Sequence, residues 1–175
     1  MVSSRRQVKP GYVVTYPNRE KRASKVARLA VASVLVLSAL LLLAVTVGGW
    51  SKLAGLLPVN ITWCLIYVVM AYYVMRWVKG LLPIAVGLGA LMLTFTVIAE
   101  TAADGVSWTD RNGPDYAPTH ALFGAAGLSP NTLSTLTIAI AVTQVLLIVV
   151  CVRALRQGWN IEYEVPAADA QALGS

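Results

Sequence analysis

The chain has 175 residues, 57% of them hydrophobic and only 13% charged, with a formal net charge of +6 at pH 7. Soluble domains carry about 25% charged residues, and helices that fold in water need a polar face, so this composition excludes a soluble globular domain. Two cysteines give no disulfide framework, and a single histidine gives no multi-histidine zinc centre.

The chain opens on a basic arm, residues 1–27. Pro10, Gly11 and Pro17 favour an extended course through "YVVTYP". Asn18 stands where it can cap a helix running through "REKRASKVAR" into the membrane. Arg5, Arg6, Lys9, Arg19, Lys21, Arg22 and Lys25, with Arg28 just beyond, make this the most cationic part of the chain. The expected partner is anionic lipid, with each cation near such a surface worth up to about 1 kcal/mol. Docking of the "YVVTYP" strip onto a protein is the alternative. The cations hug the membrane and lack a recognisable nucleic-acid-binding fold, so no nucleic acid partner is expected.

No formal charge occurs from Leu29 to Ser51, from Leu53 to Met75 or from Gly80 to Ala99, and a fourth apolar run ends at Val152. About 20 apolar residues cross the ~30 Å hydrocarbon layer. The expected fold is therefore all-α: an integral membrane four-helix bundle, with spans at 28–50, 60–78, 82–100 and 132–154 inside a domain of residues 28–155. The first apolar run is too long for a signal-peptide core and ends without a small-x-small cleavage site, so it reads as an uncleaved anchor. Cys64 and Cys151 fall toward opposite membrane faces, too far apart to be bridged, and both read as small buried residues.

Small residues direct packing within lipid, where apolarity alone does not drive helices together. Ser134, Thr137, Ala141, Gln144, Ile148 and Cys151 recur on the fourth span at the spacing of a left-handed bundle seam. The third span carries two small rows: Ala85, Gly89, Met92, Thr96 and Ala99, and Gly87, Ala90 and Thr94. Two such rows imply a central place in the bundle or a second partner protein. The bulkier first span is expected to face lipid over much of its surface. Gln144 is the most polar side chain at membrane depth; it and Tyr67 read as interhelical hydrogen-bonding groups, or alternatively as points on a polar path. Apart from Arg28, Arg76, Glu100 and Arg153 at their ends, the spans hold no Asp, Glu, Lys, Arg or His, whereas ion-coupled transporters generally place an ionisable group at membrane depth.

Loops beyond about 12–15 residues are usually functional or disordered, and residues 101–131 exceed that length. Trp108, Tyr116, Leu122 and Phe123 suit a small cap resting on the bundle, with a turn at "DRNGP" and a short interfacial helix through "HALFGAAGL". Its candidate ligand groups are Glu100, Asp104, Asp110, Asp115 and His120. A calcium loop with Gly113 at its sixth position would need oxygen ligands where Trp108 stands, so that register fails. His120 has Ser107, Thr109 and Thr119 within reach in sequence but no nucleophile-elbow motif. Recognition or packing is the expected role of the loop, with a weak metal site and catalysis as the lesser alternatives, and no cofactor-binding fingerprint is present.

Arg76 and Lys79 lie at the junction of the second and third spans, and Arg153 and Arg156 at the end of the fourth. With the arm, these put twelve of the 14 basic residues on one side, against Lys52 and Arg111 on the other. Basic residues stay cytoplasmic, which predicts both termini inside and the His120 loop outside. Tryptophans agree: Trp50 and Trp63 fall at outer ends, Trp77 and Trp159 at inner ends, and none at mid-span.

In the tail, 156–175, Gly158 is a plausible helix stop, and "NIEYEVP" alternates like a short strand or extended peptide. The close "RQGWNIEYEVP", with the Ala/Val/Leu/Gly-rich composition, resembles small uncharacterised four-pass membrane proteins of high-GC Gram-positive bacteria. That resemblance implies a four-helix outline and transfers no catalytic residue. The expected function is a non-enzymatic accessory or structural subunit packing against a larger respiratory or transport complex of the cell membrane. A small transporter or channel subunit with a neutral polar path, and a membrane enzyme using the outer loop, are the alternatives.

Overall fold

The computed structural model describes residues 10–53, 55–78, 80–101, 108, 118–159 and 161–167. Their order is strand β1 (Tyr12–Thr15), the single-turn helix α1 (Pro17–Glu20), four long helices α2 (Arg22–Gly48), α3 (Leu57–Met75), α4 (Leu81–Thr101) and α5 (Pro130–Arg156), and strand β2 (Tyr163–Pro166), with 3-10 turns at Trp50–Lys52 and Leu122–Gly124. Each long helix is apolar and long enough to cross a membrane. The boundaries match the expected spans closely at α4 and α5, while α3 is shifted toward the N-terminus and α2 begins at Arg22 rather than at 28.

Local chemistry explains several of these ends. Ser129 caps α5: its Oγ accepts from the Thr132 amide at 3.2 Å, and Pro130 occupies the first turn, where its missing N–H costs nothing. α5 ends through Gly158, whose φ of +59° takes the left-handed turn expected of a C-terminal stop. α3 ends in the same manner but on a tryptophan. The Trp77 amide bonds to Val74 O at 3.0 Å and the Val78 amide to Tyr73 O at 3.1 Å, with Trp77 at φ +58° where glycine is usual. At the loop end of α2, the Leu128 amide donates to Gly48 O at 3.0 Å, so the connection before α5 satisfies a carbonyl the helix leaves open. A Cβ on Gly48 would run into Leu128 Cδ1, so any larger residue there would push the Leu128 side chain aside.

The arrangement of the bundle corrects two expectations. α2 packs against both α3 and α5, and its Val31, Leu35, Ser38, Ala39 and Leu42 are buried, so the helix expected to face lipid over much of its surface is, with α5, one of the two inner helices. α4 packs along α5 and scarcely touches α3, so it stands at the edge rather than at the centre. Its buried row is Leu82, Ala85, Gly89, Met92 and Thr96. Gly89 brings the α5 side chains of Ile148 and Leu147 into ordinary contact distance of where a Cβ would sit, 3.4 and 3.5 Å away. The second row, Gly87, Ala90 and Thr94, is exposed on the opposite side.

The two chain ends meet. β1 and β2 form an antiparallel ribbon, Val13 opposite Val165 and Thr15 opposite Tyr163. The "YVVTYP" strip thus pairs along one edge with the chain's own tail. Asn18 does not cap a helix: α1 is a separate turn, the chain bends at Lys21, and the Asn18 side chain donates to Gly158 O at 3.1 Å. Beneath the ribbon, Trp77 and Trp159 meet edge to face with ring centroids 5.0 Å apart. Arg19 donates to the carbonyls of Trp159 and Trp77, at 3.3 Å each, and stacks 3.8 Å from the Tyr16 ring centre. Arg28 lies over the Trp77 ring at 4.3 Å and donates to Met75 O. The stacked guanidinium groups favour the ring faces electrostatically, and they hold the left-handed Trp77 turn against its backbone preference.

Candidate functional site

Two of the residues singled out in the sequence, Tyr67 and Gln144, converge at mid-bundle. Tyr67 on α3 donates its hydroxyl to Gln144 Oε1 on α5 at 2.9 Å; Gln144 Nε2 donates to Ser38 Oγ on α2 at 3.2 Å; and Ser38 donates to Val34 O at 2.9 Å. Tyr67, Gln144 and Ser38 are all fully buried. The relay therefore begins on a phenol, ends on a backbone carbonyl and joins three helices without meeting solvent. A buried amide left unpaired would be costly; here both ends of the Gln144 amide have partners. The geometry is that of a structural tie, since a polar path would need these groups to face open space. Ser38 was not singled out from sequence, although it falls on the small-residue face of α2.

Thr137 and Ser134, on the same seam, bind elsewhere. Thr137 Oγ1 accepts from Trp108 Nε1 at 2.9 Å and donates to Leu133 O at 2.9 Å. This fastens the buried Trp108 of the loop to α5. Ser134 donates to Glu100 Oε2 at 2.5 Å, while Glu100 Oε1 is buried with no hydrogen-bond partner. Glu100 thus ties the end of α4 to the start of α5.

The outer-loop candidates do not assemble into a site among the described residues. His120 contributes its backbone: its amide donates to Ser51 Oγ at 2.8 Å, its carbonyl accepts from the Ser51 amide at 3.0 Å, and its side chain is exposed. His120 also bridges Ala126 in an antiparallel pair, and the Gly127 amide bonds Thr119 O at 3.0 Å. The stretch is a small hairpin rather than the expected interfacial helix. Its tip carries Phe123, at φ +64° and 96% exposed, so Phe123 is not an anchor onto the bundle, whereas Trp108 is. Asp104, Asp110, Asp115, Tyr116 and the "DRNGP" turn lie outside the described residues. No group of three or more His, Cys, Asp or Glu that could hold a metal occurs among the described residues. Cys64 and Cys151 are both free thiols.

Sequence reasoning missed the cluster of Arg19, Arg28, Trp77 and Trp159, because its members come from four separate chain segments. The signal present was a pairing of types, two arginines and two tryptophans all predicted for one membrane face.

No protein-family model matches the chain, nor does any curated protein or solved structure. The functional reading accordingly rests on the geometry alone.

Proposed function

We propose that this protein is a non-enzymatic subunit of the cell membrane, with both termini cytoplasmic, that seats an edge helix against a transmembrane helix of a larger respiratory or transport complex. The observation that carries this reading is the position of α4. It is held on one side by α5, through Ala85, Gly89 and Met92, and turns the row Gly87, Ala90 and Thr94 outward. Nothing lies within 4 Å of where a Cβ on Gly87 would stand. Rows of small residues let two backbones approach closely in lipid, where dispersion and weak interhelical hydrogen bonds supply the association energy. The polar side chains that could have lined a transport path are instead used in ties within the bundle.

The orientation draws support from the asymmetry of Lys and Arg and from the grouping of tryptophans at two levels. Arg19 and Arg28 are committed to the aromatic cluster, which leaves Lys21, Arg22, Arg153 and Arg156 as exposed cations near the ribbon for anionic headgroups.

The test is co-purification in mild detergent with quantitative mass spectrometry. Wild type is expected to bring down a stoichiometric larger membrane protein, and Gly87→Phe to lose it while α4 stays packed on α5. Recovery of a clean monomer from native membranes, or equal recovery of the partner with Gly87→Phe, contradicts the proposal.

A further inference from the structure

We infer that the cleft between α3 and α4, at the end opposite the termini, holds one acyl chain of a membrane glycerophospholipid. The cleft has a volume of about 400 Å³, within the ~300–1,000 Å³ range of small-molecule sites. Its walls include Leu42 and Val45 of α2, Met92 and Phe95 of α4, and Ile140 of α5, with Trp63 of α3 meeting Phe95 edge to face at 6.5 Å. Close-packed interiors leave few voids larger than a water molecule, and an apolar void does not hold water. This one lies between two helices that span the membrane and scarcely touch each other, so hydrocarbon can enter it from the side.

The polar groups in the cleft specify the occupant further. Thr96 spends its hydroxyl on Met92 O and Leu93 O, and Thr137 is engaged with Trp108 and Leu133 O. Asn60 also lines the cleft, half-buried near the start of α3, and its side-chain amide makes no hydrogen bond among the described residues. An amide of this kind, offering both donors and an acceptor, stands at the level where a chain in the cleft would reach its ester linkage. An aliphatic chain carrying a carbonyl at one end matches that arrangement; a protein helix is too wide for it.

The experiment uses the full-length protein in dodecylmaltoside, equilibrated with phosphatidylglycerol, with retained lipid weighed by native mass spectrometry. Wild type is expected to keep one lipid per chain through detergent exchange. Ala99→Trp, which fills the cleft, should lower retention by about tenfold or more, whereas Val97→Trp, the same ring at the same depth on the exposed far face of α4, should leave it unchanged. Asn60→Leu preserves bulk and should weaken retention by roughly threefold to tenfold with unaltered circular dichroism; it decides the matter if Ala99→Trp does not fold. Wild type that keeps no lipid, retention unaffected by Ala99→Trp and Asn60→Leu, or displacement of the phospholipid by an equimolar isoprenoid quinone would each overturn the inference.

Discussion

The two ends of the bundle are built on opposite plans. At the end bearing the termini, segments far apart in sequence close on one another: β1 on β2, Arg19 on the Trp77 and Trp159 carbonyls, Arg28 on the Trp77 ring. At the other end α3 and α4 diverge around a cleft, and the connection to α5 is fastened at a few points, Trp108 to Thr137, His120 to Ser51 and Leu128 to Gly48. Register in a bundle within lipid is set by close packing and interhelical hydrogen bonds. Here the closed end supplies such contacts, with the Tyr67–Gln144–Ser38 tie as a second point halfway along. The open end is then free to admit a ligand.

Breaking the closed end should have the largest effect. Trp159→Ala removes a buried ring and its partner for Trp77, and is expected to cost about 3–5 kcal/mol in detergent-titrated unfolding; a loss under about 1 kcal/mol would show that the cluster is ornamental. Gln144→Leu deletes the mid-bundle tie and leaves the Tyr67 hydroxyl and Ser38 without their shared partner. A cost of about 1–2 kcal/mol is expected, the upper range for polar contacts between membrane helices, with the same unfolding assay as the check. Trp108→Phe keeps the ring but loses the bond to Thr137. It should cost about 1 kcal/mol and raise hydrogen exchange at the open end, with none at the ribbon. The smallest effect belongs to Glu20, whose carboxyl is held below its ordinary value by the hydrogen bond and charge of Lys25 at 2.9 Å. A depressed carboxylate contributes stability above its unfolded value that fades as pH falls through the folded one. Acidification should therefore loosen α1 slightly, an effect abolished by Lys25→Met in a pH-dependent chemical-shift titration of Glu20.

The four spans were legible because charge-free runs of the right length have one common meaning, and Gln144 and Tyr67 were legible as interhelical groups because little else at that depth is polar. Their pairing was not, since it depends on how α3 and α5 are rotated about their axes. The inner place of α2 was hidden for a related reason: Leu and Val suit lipid and core alike, and its buried side was marked by small or polar residues such as Ala32, Ser38, Ala39 and Thr46. α4 misled in the other direction, because two small rows describe an edge helix awaiting a neighbour as well as a central one. The ribbon joins Tyr12 to Pro166, a pairing that local patterns do not encode, and it turned a supposed free strip into part of the closed end.

The account depends on the closed end facing the cytoplasm and the open end facing outward. The most direct measurement places a lone cysteine in a Cys64→Ala, Cys151→Ala background, either at the exposed hairpin tip as Phe123→Cys or in the tail as Gln171→Cys, and treats intact cells with a membrane-impermeant maleimide. Labelling of the Phe123→Cys chain alone, with Gln171→Cys reacting only after the cells are opened, is the predicted result; labelling of Gln171→Cys in intact cells would contradict it.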